Sequence, residues 1–520
     1  MFREIQNNWW LKNSKGEFIS FWPGTQMLNI AAGQPEISSI KWNTYLAHII
    51  SDSILNNSRW DGVYIDNCWS TVSWKDPLMD VTGDGIADKA YKIDSLWKSG
   101  MDVMLAQIRA KYPTKIVVGN GGYAYGKYLN GALFEDFPKW GGWYRLFDTY
   151  KQFDTLAVSK QFNIINSTTS NTGKQDLRNM RFGLASALMG NGFYSYDYGA
   201  NDHSQHWWFD EYDVDLGEPL EPAQCIGKSI LSSNNFESGI GEWEAGDWEM
   251  TSSIIVDTKT KSNAFRVVTS GKEKWNNVLS SPQLSIGKGA MLKCSMKVSV
   301  ESVDSGAILY AALRKGDDFE NELSLGSKPI SINSDSVFII YCDSTVVESG
   351  YSLCIGLTGK GTVLIDDITI ESTENLAYSR RFERGVVLLN PSPVSKSFSY
   401  PEYHRFKGVQ DPVHNDGSSA TTITLAPSDG ILLVRNDLSI NKTSSGISKI
   451  SIITNGQQVR ITSLPPENTQ ITLFDLTGRL LETYQFSRDE AVLLSPTIAS
   501  GVFVLEIHTG LQRIAQKIQL

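Results

Sequence analysis

Residues 60–69, WDGVYIDNCW, set a short run of Gly, Val, Tyr and Ile between two aspartates, Asp61 and Asp66. An apolar run of this length bounded by polar residues predicts a buried strand. Asp61 stands at its start and Asp66 at its downstream end. If the strand pairs in parallel with others, their downstream ends form one rim, and in a parallel α/β barrel that rim carries the chemistry. Asp61 then has a structural role and Asp66 a functional one.

The surrounding sequence supports parallel pairing. Residues 26–200 alternate short apolar runs with segments of helical period, the pattern of repeated strand and helix units. The expected strands are MLNI (27–30), GVYID (62–66), KIVVG (115–119), ALFED (132–136), FNIIN (162–166) and GFYSYD (192–197). Between them, Leu46, Ile50 and Ile54 recur at four-residue spacing, and Leu177, Met180, Leu184 and Leu188 line one helical face. Asn43 or Thr44, Asp94 and Asp176 are the expected helix N-caps. The closed form of this alternation is the (β/α)8 TIM barrel, with about six strands present here. The first two strands, and a signal peptide before them, are expected upstream of Met1.

Beyond residue 226 the texture becomes all-β, so the whole chain reads as multi-domain α/β plus all-β. Twelve of the fifteen tryptophans lie at or before Trp208, and the others are Trp243, Trp248 and Trp275. Residues 1–224 are the barrel. Residues 226–372 read as a jelly-roll β-sandwich that opens with NNFESGIGEWEAGDWEM and closes with GTVLIDDITI. Residues 376–437 form a small β-domain that completes the barrel unit, 438–445 a polar linker, and 446–520 an Ig-like sandwich.

A formal charge of −10 argues against nucleic-acid or anionic-membrane partners, which reward clustered Lys and Arg. The five cysteines are scattered without a CxxC pair, and no apolar run reaches the roughly 18 residues of a transmembrane span.

At the strand ends stand Asp66, Asn120, Glu135, Asn166 and Asp197. Two carboxylates facing each other across a cleft are what glycoside hydrolysis requires, one protonating the leaving oxygen and the other attacking the anomeric carbon or activating water. Asp66 and Glu135 are the expected catalytic pair. A single Asp at a strand end is more often a helix cap or turn residue, but the presumed loops here also carry Trp69, Trp74, Tyr123, Trp143, Trp207 and Trp208. Their flat apolar faces suit sugar rings. With Asn120, Asn166, Asp197, Asp210 and Glu211, the residues Trp69, Tyr123, Trp143, Trp207 and Trp208 make up the expected substrate-binding set. In HSQHWWFDEYD (203–213) the spacing matches no metal-ligand motif and reads as a substrate loop. No cofactor is expected for catalysis. DVTGDGIAD (80–88) sets Asp80, Thr82, Asp84 and Asp88 around Gly85 and is similar to a calcium loop, although Tyr91 stands where an EF-hand places its bidentate Glu. The alternative is an Asx-rich turn without an ion.

Taken in order, WWLKNSKGEFISFWPGTQMLNI, DGVYIDNCW, NGALFEDF, WWFDEYDVDLGEP, YSRRFERGVVLLNPSP and DPVHNDGSSATTITLAPSDGILLV resemble the hypothetical glycosyl hydrolase family 15. The resemblance spans residues 1 to about 224 and resumes at about 376–436, so the sandwich looks like an insertion. It implies a glycosidase reaction without settling the substrate, with Asp66 and Glu135 on the fourth and sixth strands of the intact barrel; the chain as a whole is expected to act on an extracellular poly- or oligosaccharide. NNFESGIGEW and LIDDITI resemble carbohydrate-binding modules of families 4 and 9, which implies Trp243, Trp248 and Trp275 as stacking residues. ITLFDLTGRLLETYQF with ASGVFVLEIHTGLQRIAQKIQL resembles the C-terminal sorting domain of the type IX secretion system. That resemblance implies the secretion machinery as a partner and a secreted or cell-surface location. The competing expectation is a non-catalytic carbohydrate-binding protein built on a degenerate barrel.

Overall fold

Val63 and Ile65 alternate with Gly62 and Tyr64 along a strand, β1 (Gly62–Ile65), whose neighbours repeat the same two-residue period. These are β2 (Ile116–Asn120), β3 (Gly131–Phe134), β4 (Ile164–Thr168) and β5 (Phe193–Gly199), all paired in parallel, with β6 (Asp202–His206) antiparallel to β5 at the edge. The computed structural model describes residues 5–227, 230–272, 276–316, 323–332, 335–346 and 350–435. Further on it describes 451–455, 458–462, 469–475, 479–486, 492–494, 502–509 and 512–519. The chain divides into two units, Met1–Asp437 and Leu438–Leu520. The fold is β-rich, with four α-helices among the described residues.

One face of the parallel sheet is covered by helices: α1 (Trp42–Ile49), α2 (Ala90–Lys111), α3 (Gly142–Leu156) and α4 (Leu177–Leu188). Val117, Ala132, Phe134 and Ile165 point into this layer. There they meet Met104 and Ile108 of α2, Phe147 and Tyr150 of α3, and Met180 and Leu184 of α4 in one continuous core. The side chains of the opposite face are more open, with Tyr64 48% and Phe193 51% exposed.

The expected barrel is therefore present as a half-barrel. Among the described residues β1 and β6 remain sheet edges, and no complete TIM barrel is formed. The expected strand at 27–30 does not join this sheet. Its backbone is taken by the N-terminal meander instead, with Leu11 N–H donating to Met27 O (2.8 Å) and Asn29 N–H to Trp9 O (2.7 Å). The buried Asn29 side chain donates to Val81 O (2.9 Å). Asp176 caps α4 as expected, accepting from the N–H groups of Arg178 and Asn179. Asp94 lies inside α2 and caps a neighbouring turn instead, accepting from the N–H groups of Val72 and Ser73.

The chain leaves this layer through Gln224–Ile226 and enters a sandwich of two antiparallel sheets. One contains, in order, Met250–Val256, Asn263–Ser270, Lys360–Ser372, Ala290–Val303 and Asp335–Val346, with Ile230–Asn234 also on Lys360–Ser372. The other runs Glu244–Ala245, Asn276–Ser280, Ser352–Leu357, Ile308–Arg314 and Leu323–Pro329. Alternate residues of Ala290–Val303, from Leu292 through Cys294, Met296 and Val298 to Val300, turn into its core beside Phe265 and Ile365. The chain returns as Ala377–Arg381, which pairs with Gln224–Ile226 and with Gly385–Asn390 in a five-stranded sheet.

Two polar locks hold these layers together. Asp148 on α3 accepts from Lys293 Nζ (2.6 Å) and Tyr341 Oη (3.0 Å) of the sandwich and pairs with Lys151 (3.1 Å). Arg181 on α4 is 2% exposed and grips Asp429 through Nε (3.1 Å) and Nη2 (3.2 Å) while pairing with Asp411. Gly430 permits this approach, because a Cβ there would lie 2.4 Å from Ala185 Cβ. The second unit carries a three-stranded sheet, Ser451–Asn455, Gln458–Thr462 and Val492–Leu494, and a four-stranded one, Leu480–Phe486, Thr469–Phe474, Val502–Thr509 and Gln512–Gln519. Its core contains Ile461, Ile471, Leu473 and Leu505.

Removing one member of a buried ion network strands its partners without water. Arg181→Met is therefore expected to cost about 3–5 kcal/mol, read as a lowered midpoint in chemical denaturation.

Candidate active site

The pairing register decides which side chains share the open face. Tyr64 lies opposite Val118, Asn120 opposite Leu133, Leu133 opposite Ile164, and Thr168 opposite Asp197. With a period of two, the same face then presents Tyr64 and Asp66, Asn120, Glu135, Asn166, and Ser195 with Asp197. Five expected site residues are thus gathered on neighbouring strands.

They form a connected polar chain. The Asn120 amide nitrogen donates to Asp66 Oδ1 (3.0 Å) and also to Glu135 Oε2 (3.0 Å), so one NH2 group bridges the two carboxylates. The other oxygen of Glu135, Oε1, lies 3.8 Å from His203 Nε2. His203 Nδ1 lies 3.0 Å from Oδ2 of the buried Asp197. Asn166, also buried, donates to that same oxygen (3.2 Å) and to Ser195 Oγ (3.0 Å), which makes it a support for Asp197.

Both carboxylates sit just before a sharp turn. Asn67 and Asp136, which follow Asp66 and Glu135, adopt φ of 51° and 52°. Asn and Asp tolerate this left-handed conformation better than most residues because their short side chains bond locally. Asn67 N–H donates to Asp66 Oδ1 (2.8 Å), and Asp136 accepts from Thr168 Oγ1 (2.8 Å).

Tyr64 shares the face with the pair. Burial, followed by the negative charges of Asp66 and Glu135, pushes its phenol well above the ordinary tyrosine value, so it remains a neutral donor. Burial also raises the Tyr123 phenol, with Glu135 adding to the effect. Tyr123 stacks on Phe134 (4.7 Å) and donates its hydroxyl to Leu133 O (3.4 Å).

Beside Asn120, Gly121 has φ of 67°, and a Cβ there would lie 3.0 Å from the Trp69 ring. Trp69 is therefore laid against the backbone next to the bridging amide. From it an aromatic shelf extends through Phe21 (4.8 Å) and Trp74 (5.5 Å), and Trp22 stands edge-on to Phe21 (4.1 Å). Trp22 and Trp74 remain about half exposed.

Other expected residues lie elsewhere. Trp143 is 2% exposed within α3 and donates to Ser186 Oγ (3.0 Å). Trp207 packs on Tyr196 (5.8 Å), whose side chain lies on the helix side of β5, and Trp208 donates to Asp213 (2.9 Å). Asp210 accepts from Gln410 N–H (2.8 Å), tying its loop to the five-stranded sheet's connections. Glu211 is buried, accepts from Asn415 (2.8 Å), and is held above its ordinary carboxyl value by burial. These five are not brought onto the face that carries Asp66 and Glu135, and Trp208 is 59% exposed. In the sandwich, Trp243 is a core residue at 5% exposure, Trp248 is 69% exposed, and Trp275 lies outside the described residues. A cleft of about 790 Å³ is lined by Thr168, Lys174, Arg178, Tyr196, Asp411 and His414. Neither Asp66 nor Glu135 lines it.

The loop at 80–88 spends its carboxylates on its own amides. Asp80 accepts from Gly83 N–H and Gly85 N–H (2.7 Å each), and Asp88 from Val81 N–H (3.0 Å) and Lys92 Nζ (2.6 Å). Thr82 donates to Asp80 (3.3 Å) and Asp88 (3.2 Å), while Asp84 accepts from Ile86 N–H (2.9 Å). An ion at the centre would face N–H hydrogens, so this arrangement does not fit calcium. Among the described residues no cluster of three His, Cys, Asp or Glu side chains is placed to hold a metal. Burial raises the Asp88 carboxyl, but Lys92 and the N–H groups of Val81 and Thr82 outweigh it and hold the group below its ordinary value. Stability from Asp88 is then fully present above about pH 4 and lost as pH falls through the folded-state value. Thermal unfolding of Asp88→Asn is expected to show a lower midpoint at neutral pH and a flatter decline below about pH 4.

A model of the hypothetical glycosyl hydrolase family 15 matches residues 3–239. No curated protein matches the chain. The similar solved structures include the CBM22-1–GH10 modules of a Clostridium thermocellum endo-1,4-β-D-xylanase complexed with xylohexaose. That likeness is 12% identical, covers 28% of this chain and 29% of that one, and has a TM-score of 0.24. A CBM22-1 xylan-binding domain from Paenibacillus barcinonensis is 17% identical over 28% of this chain and 96% of its own, with a TM-score of 0.23. A family 16 carbohydrate-binding module is 10% identical over 27% and 98%, with a TM-score of 0.21. Among the described residues no helix is long and apolar enough to cross a membrane.

Proposed function

We propose that the chain is a glycoside hydrolase acting on an extracellular poly- or oligosaccharide, with Asp66 as nucleophile and Glu135 as acid and base. The observation that carries this reading is the single Asn120 amide bonded at 3.0 Å to each carboxylate. A planar NH2 spreads its hydrogens by about 120°, so two acceptors at that distance stand roughly 5 Å apart. That separation suits retention of configuration, whereas inversion needs about 6.5–9.5 Å to admit a water.

In this mechanism Asp66 attacks the anomeric carbon while Glu135 gives its proton to the departing oxygen. Glu135 then takes a proton from the water that releases the glycosyl-enzyme. Asn120 orients both groups, Tyr64 offers a neutral hydroxyl on the same face, and the shelf of Trp69, Phe21, Trp22 and Trp74 stacks on sugar rings. In this reading the exposed Trp248 of the sandwich is a second place for a glycan. Residues 446–520 act as the export signal read by type IX secretion machinery, which puts the protein outside the cell.

The open sheet, with Tyr64 and Phe193 half exposed, favours one second reading, a carbohydrate-binding protein that retains glycans without cleaving them. Incubation with a panel of polysaccharides separates the two. Hydrolysis is expected, with retained configuration at the newly formed anomeric centre by proton NMR. Asp66→Asn and Glu135→Gln should each lower kcat/KM by about 10²–10⁴-fold. Unchanged hydrolysis in both variants sinks the catalytic assignment.

A further inference from the structure

The site contains one group that the two-carboxylate mechanism does not use. His203 lies on β6, which folds back antiparallel on β5 with an irregularity between Asp197 and Gly199. The turn-back brings His203 Nδ1 to 3.0 Å from Asp197 Oδ2 and leaves Nε2 3.8 Å from Glu135 Oε1. Asp197 is 5% exposed, and among the described residues its Oδ1 has no hydrogen-bond partner. A buried carboxylate short of donors gains most from a cationic neighbour, because the interior screens it poorly. His203 itself keeps about half its side chain in water, so it can exchange protons with solvent while anchored at Nδ1.

We propose that the Asp197–His203 pair sets the charge that Glu135 faces, so that the protonation of His203 is coupled to the acid and base of the site. This rests on the reading of Glu135 as the acid and base of the site. With His203 protonated, Nδ1–H serves Asp197 and Nε2–H places a positive charge before Glu135 Oε1. When His203 releases its Nε2 proton to solvent, a lone pair and no positive charge face Glu135 Oε1. Asn120 fixes the other oxygen of Glu135 throughout. The charged groups facing His203 are Asp197 on β5 and, after β3, Glu135 and Asp136. Asp136 is itself paired with Lys139 (3.4 Å), which mutes its influence. The hydrogen bond to Asp197 is the main cause that lifts the His203 imidazole above its ordinary value, with Glu135 contributing. His203 is thus a positioning residue that acts through Glu135.

The test is a histidine-ring NMR titration of the full chain, whose six histidines keep the spectrum simple, with His203→Gln identifying the signal. The His203 midpoint is expected to fall by about one pH unit in Glu135→Gln, and further in Asp197→Asn, where the main partner is lost. An unchanged midpoint in Glu135→Gln overturns the inference. Glu135 is 38% exposed, so that variant leaves the core intact even if Asp197→Asn fails to fold. The titration needs no turnover, which separates the two failures. A chain that hydrolyses no glycan yet shows the shift refutes the hydrolase reading and leaves the coupling established. On a glycan that the wild type cleaves, His203→Gln should move the pH profile of kcat/KM, a change that loosened packing alone would not cause.

Discussion

Everything in the larger unit follows from five strands paired in parallel with their side-chain alternation in phase. A slip of one residue anywhere in the ladder would turn Asn120 or Glu135 into the helix layer and bring a Val or Phe to the open face. The register is held from behind, where Val117, Ala132, Phe134 and Ile165 are buried against α2, α3 and α4. The apolar back of each strand thereby fixes the position of its polar front, and packing and chemistry share one constraint.

The front is held as a line of polar contacts rather than as separate residues. Asp66, Asn120, Glu135, His203, Asp197 and Asn166 form one chain across the sheet, in which the central groups each touch two neighbours. Such chains polarise along their length, and a change at one end is felt at the other. The outer layers are fastened by charge: Asp148 joins α3 to the sandwich, and Arg181 joins α4 to the five-stranded sheet. Each lock sits on a helix directly behind the strands that carry the site.

The strands from 62 to 199 and the trio Asp66, Asn120 and Glu135 were legible in the sequence because short apolar runs ending in polar residues encode both period and direction. What failed had identifiable causes. MLNI has strand-like composition, yet its backbone groups find partners in the N-terminal meander, a long-range choice that no local pattern encodes. Trp143 resembled a loop aromatic, although its spacing to Phe147 and Tyr150 is the i, i+4, i+7 of a buried helix face and could have been read as such. Asp80 and Asp88 had the spacing of ion ligands, but spacing does not say which way an oxygen turns. Tyr64 was missed although it shares the period of Asp66. His203, expected in a loop, is on a strand because the chain reverses at Gly199, whose φ is 130°, a turn that the apolar pattern does not encode.

The pairing of Gln224–Ile226 with Ala377–Arg381 has a consequence for the chain's history and engineering. Ile226 lies opposite Ala377, so the 150 residues or so between them leave and re-enter at nearly one point. For the sheet that receives both ends, the sandwich is thermodynamically an enlarged surface loop, and the entropy of closing such a loop grows only logarithmically with its length. A module of this size can therefore be gained, exchanged or lost at that junction while the ladder that aligns the carboxylates keeps its register.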